Sequence, residues 1–278
     1  MGTDRIINDL SISISGHNIK PFAETAIKSL EKLKVEYLKK VVYFDDYSND
    51  GTKEMLDELG VRVITWLPEV EEMFHSMRDF QKDLPTRVSF INECIFRQVD
   101  TRYLYMSDGD VVFKKDIVSH LASIMEETGS DMVACTNEYD MVMDGYSIIK
   151  ERVYLNQALI DLPALKKMNV LGDDIRSCLV DDDTGTSFLS RMRFSGTNLH
   201  ELKQKDLEDY YYHFEWISSS MRDDDEQNMK EREINRDKRI WSVEQAFLET
   251  HSILEAIGVE KARLSEHILK NFYKSPIY

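Results

Sequence analysis

The sequence is poor in cysteine, in long apolar runs and in basic charge, and each shortage closes off a class of function. Cysteine occurs three times in 278 residues, at Cys94, Cys135 and Cys178. An odd number of widely spaced thiols builds no disulfide framework and fits a reducing compartment, so a cytoplasmic location is expected. No Cys-x-x-Cys or His-x-x-x-His pair is present to hold zinc. No apolar run approaches the roughly 20 residues that span a bilayer, so no transmembrane segment is expected. The start, Met1-Gly-Thr-Asp-Arg5, does not read as a signal sequence. Lys and Arg number 35 against 51 Asp and Glu, a formal charge of −16. Nucleic acid and anionic membranes must be met by Lys and Arg, so neither partner is expected. Internal repeats and low-complexity linkers are also missing. What remains is ordinary globular material, 42% hydrophobic and 31% charged, enough for one core with a small helical appendage.

The most informative run is Tyr103-Leu-Tyr-Met-Ser-Asp-Gly-Asp110. Its first four residues read as a buried strand, and Asp108 and Asp110 follow at the carboxyl end. Two carboxylates one residue apart repel each other unless something positive lies between them. In an open α/β sheet that edge is also where ligands bind. A divalent cation completed by phosphate oxygens meets both conditions, Mn²⁺ or Mg²⁺ being the candidates. Two more strands end in polar residues. Leu10–Ile14 opens into Ser15-Gly-His-Asn18, with a helix expected from Pro21, and Lys40–Phe44 runs into Asp45-Asp-Tyr-Ser-Asn-Asp-Gly-Thr52. A helix over 53–59 is expected to stop at Gly60.

These three segments, in this order, resemble the family 2 type of GT-A-fold glycosyltransferase. The middle one is the specific match, and the resemblance covers roughly residues 8–115. It implies an α/β, Rossmann-like, mostly parallel sheet flanked by helices; separately, the apolar stripes Val243, Ala246, Phe247, Ile253, Leu254, Ile257 and Leu264, Ile268, Leu269, Phe272 read as two amphipathic packing helices, a C-terminal helical extension. It also implies a donor, a nucleotide-diphosphate sugar of UDP or GDP type, and a glycan or other hydroxyl acceptor. On this reading Asp45, Asp46 and Ser48 face base and ribose, while Ser15, His17 and Asn18 line the other side of the base. Asp110 chiefly holds the cation, and Asp108 and Gly109 lie beside the donor sugar. The family's Arg-Asn pair ahead of Asp-x-Asp is replaced here by Asn92-Glu93, with Arg87 and Arg97 near; Arg87 is the donor-binding candidate.

The remaining chain is expected to hold a strand over 61–66, a helix-rich connection over 67–85, helices over 87–99 and 117–128, and a strand over 132–135. Residues 1–221 are read as the transferase domain, 1–115 binding the donor and 116–221 the acceptor, with 222–278 the helical extension. In inverting members of the resembling family a carboxylate from the acceptor half takes the acceptor proton. That places Asp181, Asp182 and Asp183 as base candidates, with Asp173 and Asp174 as competitors. Members that add a carboxyl-half histidine to the cation make His200 and His213 candidate ligands, His213 alternatively touching the diphosphate. Two other functions are open. A nucleotidyltransferase of related fold would want a Gly-rich basic phosphate loop, yet Ser15–Asn18 holds no Lys or Arg. A non-catalytic carbohydrate- or protein-binding module would have no need of acids at the strand ends.

Overall fold

The computed structural model describes residues 2–76, 84–143, 146–167, 196–214 and 229–271. In chain order the elements are α1 (Gly2–Asn8), β1 (Leu10–Gly16), α2 (Lys20–Leu33), α3 (Val35–Leu38), β2 (Val41–Asp45), α4 (Thr52–Glu58), β3 (Arg62–Ile64), α5 (Pro68–His75) and α6 (Leu84–Gln98). Then come β4 (Tyr103–Asp108), β5 (Val111–Phe113), α7 (Ile117–Thr128), β6 (Met132–Met143), β7 (Tyr146–Asp161), α8 (Leu162–Lys167), β8 (Leu199–Leu202), β9 (Tyr211–His213), α9 (Met229–Ala256) and α10 (Lys261–Asn271). The molecule is mixed α/β; among the described residues seven strands are ordered β3-β2-β1-β4-β7-β6-β8, and β5 and β9 form a two-stranded ribbon.

The sheet is mostly parallel, as expected. β2 and β3 are parallel, as are β6 and β8, whereas β7 runs antiparallel to both β4 and β6. β1 and β4 run the same way, since Tyr103 N–H donates to Asp9 O at one end and Gly109 N–H to Ser15 O at the other. β1 and β2 carry long buried stretches, the signature of strands covered on both faces. The strand expected over 132–135 is the start of a much longer one. β6 and β7 form a hairpin whose pairing shifts between Val133 and Cys135, and Gln157 sits there at φ 65°. Such a bulge breaks the alternation that marks a strand in sequence.

Contacts divide the chain into two compact units. One comprises Met1–Ser13, Trp66–Ser107 and Val118–Leu207; the other comprises Ile14–Thr65, Asp108–Ile117 and Glu208–Tyr278. In the first, Leu104, Val133, Leu159, Ile160, Leu121 and Phe90 are buried. The second is built around α2. Pro21 starts this helix where a missing N–H costs nothing, and Phe22, Ala26, Ile27 and Leu30 form its buried stripe. Ser29 is buried there too, and its Oγ accepts Phe113 N–H from β5 at 3.0 Å. Val243 and Ala246 of α9 and Leu264 and Ile268 of α10 complete this core.

Candidate functional site

Every part of the site described here lies in the second unit, at the carboxyl ends of β1 and β2 and around β5. The β5–β9 ribbon assembles its centre. Val111 pairs with His213, and Phe214 N–H donates to Asp110 O at 2.9 Å. This register sets the His213 ring against Asp108 and Asp110. The Nε2 atom lies 3.2 Å from Asp110 Oδ1 and 3.6 Å from Asp108 Oδ2. One ligand atom from each of the three residues fits within 4.8 Å of the others. The Asp110 side chain is fully buried, while Asp108 and His213 remain 22% and 37% exposed, so the cluster opens to solvent.

Gly109 has a packing reason to be glycine. A Cβ there would stand 2.8 Å from Ser15 O and 2.7 Å from Ile19 Cδ1. The backbone oxygen cannot give way, because it accepts the Gly109 N–H. The two acids are thereby tied to the end of β1.

The loops after β1 and β2 are laced together. His17 Nδ1–H donates to Asp46 O at 2.5 Å, and its Nε2 accepts the Asn18 amide at 3.0 Å. Asn18, at φ 52°, donates its N–H to Ser48 Oγ at 2.9 Å and accepts Asn49 N–H at 2.7 Å. Left-handed backbone suits Asn better than most residues, and these bonds hold it there. Asp50 Oδ2 accepts Lys20 N–H at 2.8 Å, and its Oδ1 accepts the Thr52 N–H at 3.1 Å. Asp46 is wholly buried and Asp45 8% exposed. Asp45 Oδ1 accepts Ser48 N–H at 3.3 Å. Burial pushes the Asp45 carboxyl above its ordinary range, against the two Ser48 hydrogen bonds, and the neighbouring Asp46 and Asp50 push it the same way.

The other sequence candidates lie elsewhere or beyond view. His200 is on β8 in the first unit, opposite Val133. Arg87, also in the first unit, lays its guanidinium over Trp66 at 5.1 Å and Phe74 at 5.6 Å, a cation–π arrangement. Arg97 pairs with Glu93. Asp173, Asp174, Asp181, Asp182 and Asp183 fall outside the described residues. The sequence reading passed over three residues of the second unit. Tyr47 is exposed at the loop after β2, with φ 57°. Thr65 Oγ1 donates to Asp45 O at 3.2 Å. His267 of α10 donates from Nε2 to Asn18 O at 2.7 Å. Burial pushes this imidazole below its usual range, offset in part by that bond and by Asp50. An aromatic within the Asp-Asp-x-Ser loop was the available signal for Tyr47; nothing local in sequence marks His267.

No family model and no curated protein matches the chain. Solved structures do. S. aureus TarS 1–349 is 14% identical at a TM-score of 0.47, over 95% of this chain and 71% of that one. Core-mannan synthase A of Aspergillus fumigatus, in its Mn/GDP form, is 10% identical at 0.46, over 74% of each chain. The bifunctional IspDF of Campylobacter jejuni is 13% identical at 0.43, over 70% of this chain and 49% of that one. This chain therefore spans about half the length of the last.

Proposed function

We propose that this chain is a metal-dependent glycosyltransferase, moving a sugar from a UDP- or GDP-type donor to a hydroxyl acceptor, a glycan for preference. The observation that carries the reading is the convergence of Asp108, Asp110 and His213 within 4.8 Å, beside the loop after β1 to which the acid-bearing loop after β2 is laced. Two carboxylates and an imidazole whose single nitrogen faces both make a hard, mixed oxygen–nitrogen donor set, which suits Mn²⁺ and, less well, Mg²⁺. The buried Asp110 carboxylate beside Asp108 favours positive charge between them. A cation held there would neutralise charge on a departing nucleoside diphosphate.

The chain's own residues supply the rest. Asp45, with Ser48 beside it, is the group proposed to hydrogen-bond the nucleoside, and the Ser15–Asn18 loop to line the opposite face. In the transfer itself the acceptor oxygen bonds to the anomeric carbon as the bond from that carbon to the diphosphate oxygen breaks. The acceptor's proton passes to a carboxylate, for which Asp181, Asp182 and Asp183 in an acceptor half at 116–221 remain the proposed sources. No helix among the described residues is long and apolar enough to cross a membrane. A reducing, cytoplasmic setting is proposed in keeping with the unpaired, buried thiols of Cys94 and Cys135.

Calorimetric titration of UDP and GDP, with and without Mn²⁺, tests this reading. One nucleotide should bind in a Mn²⁺-dependent manner to the wild type and not to Asp110→Ala. Binding of neither, or metal-dependent binding that survives Asp110→Ala, would overturn it.

A further inference from the structure

We propose that His267, on α10, is a positioning residue that fixes the β1–α2 loop in the shape presented to the nucleotide. This inference rests on the nucleotide reading of that loop, and goes beyond it in giving the C-terminal helix a part in binding.

Asn18 is the pivot of the loop and sits at φ 52°, a conformation that side-chain-bearing residues hold only with support. Three of its supports come from the adjacent residue and the loop after β2: His17, Ser48 and Asn49. The fourth is the His267 N–H on its carbonyl, at 2.7 Å. The same Nε2 lies 3.6 Å from Asp50 Oδ2, the oxygen that accepts Lys20 N–H at the start of α2. One imidazole thus meets both loops at their junction.

The helix that carries it is itself anchored. Arg263 pairs with Glu24 of α2 at 2.6 Å, and Leu264 and Ile268 are fully buried on either side. The His267 ring packs against Phe22 at a centroid distance of 6.1 Å, and Phe22 packs edge-on against Phe214 at 5.0 Å. Phe214 follows His213 directly, so one aromatic chain links the loop latch to the ribbon that carries the cation ligand. A residue serving only to fill the core would need no donor aimed at a left-handed carbonyl. Leu or Met would pack as well.

The pair His267→Gln and His267→Met separates donor from volume, since the two side chains are near in size and only Gln donates. Amide hydrogen exchange reads the loop without any ligand. In His267→Met the Ser48, Asn49 and Lys20 amides should exchange about 10-fold faster than in the wild type, with His267→Gln restoring most of the protection. Mn²⁺-dependent nucleotide affinity should fall about 10-fold in His267→Met and recover in His267→Gln, while affinity for Mn²⁺ alone is unchanged. Unaltered exchange in a folded His267→Met protein would overturn the positioning role. So would an equal loss in both variants, which would mark a packing effect. Faster exchange in a protein that binds neither UDP nor GDP would keep the latch and discard the nucleotide reading. Should His267→Met lose its cooperative unfolding transition, His267→Asn, whose shorter side chain draws the donor back, carries the same comparison.

Discussion

Asp45 is held at a cost. Its carboxyl is buried beside Asp46 and Asp50 and titrates above its ordinary range, so its ionised form disfavours the fold at neutral pH. Because its folded pKa exceeds the unfolded one, the cost is fully present above the folded value and disappears as pH falls below the unfolded one. Asp45→Asn keeps the oxygen that accepts Ser48 N–H and removes the charge. The variant should be more stable than wild type at pH 7, by on the order of 1 kcal/mol, and lose that advantage on acidification. Thermal unfolding across pH checks this, and weaker nucleotide binding by the same variant would mark the acid as functional. Gly109 is the other residue that tolerates little change. Gly109→Ala drives a methyl into Ser15 O and should cost about 1–3 kcal/mol, read by chemical denaturation, while weakening Mn²⁺ binding by displacing Asp108 and Asp110.

At the level of elements, β1, β2, α2, α4, α6, β4 and α7 were legible in the sequence because each carries its own signal. These signals are a buried run, an apolar stripe, a starting proline, or a glycine such as Gly60 at φ 68° or Gly129 at φ 61°. The strand ends bearing Asp45, Asp46, Asp108 and Asp110 were legible for the same reason. The ribbon of β5 and β9 was not, since each strand has only three residues and each is defined by its partner. His213 could be suspected from sequence, but its place beside Asp110 is a property of the Val111–His213 register. α10 read as plain amphipathic packing, which hid its histidine. That histidine carries a signature in pH. Its pKa is depressed by burial, with Arg263 and Lys20 adding to the effect and the Asn18 bond and Asp50 opposing it. The unfolded chain therefore takes up a proton first as pH falls below about 6.5, and stability is lost from there downward. His267→Gln should unfold with a flatter pH dependence between about 7 and 5 than the wild type.

The whole molecule carries a formal charge of −16, and some of that charge is concentrated at the site. Self-repulsion of this size is screened by salt, so raising NaCl from low ionic strength to about 0.15 M should raise the melting temperature of wild type and Asp110→Asn alike. Mn²⁺ at a concentration too low to screen should stabilise only the wild type, by about 2.7 kcal/mol at 100 times its dissociation constant, with a matching rise in melting temperature. Equal responses of the two proteins to Mn²⁺ would place the ion elsewhere on the acidic surface. The β5–β9 ribbon also orders events in time. Asp110 and His213 are 103 residues apart. On a ribosome adding about 5–20 residues per second, the carboxylates are made about 5–20 s before their imidazole. On the metal reading proposed above, a nascent chain that stops short of residue 213 carries the acids without the ring that completes the trio, and should hold Mn²⁺ less tightly than the finished chain.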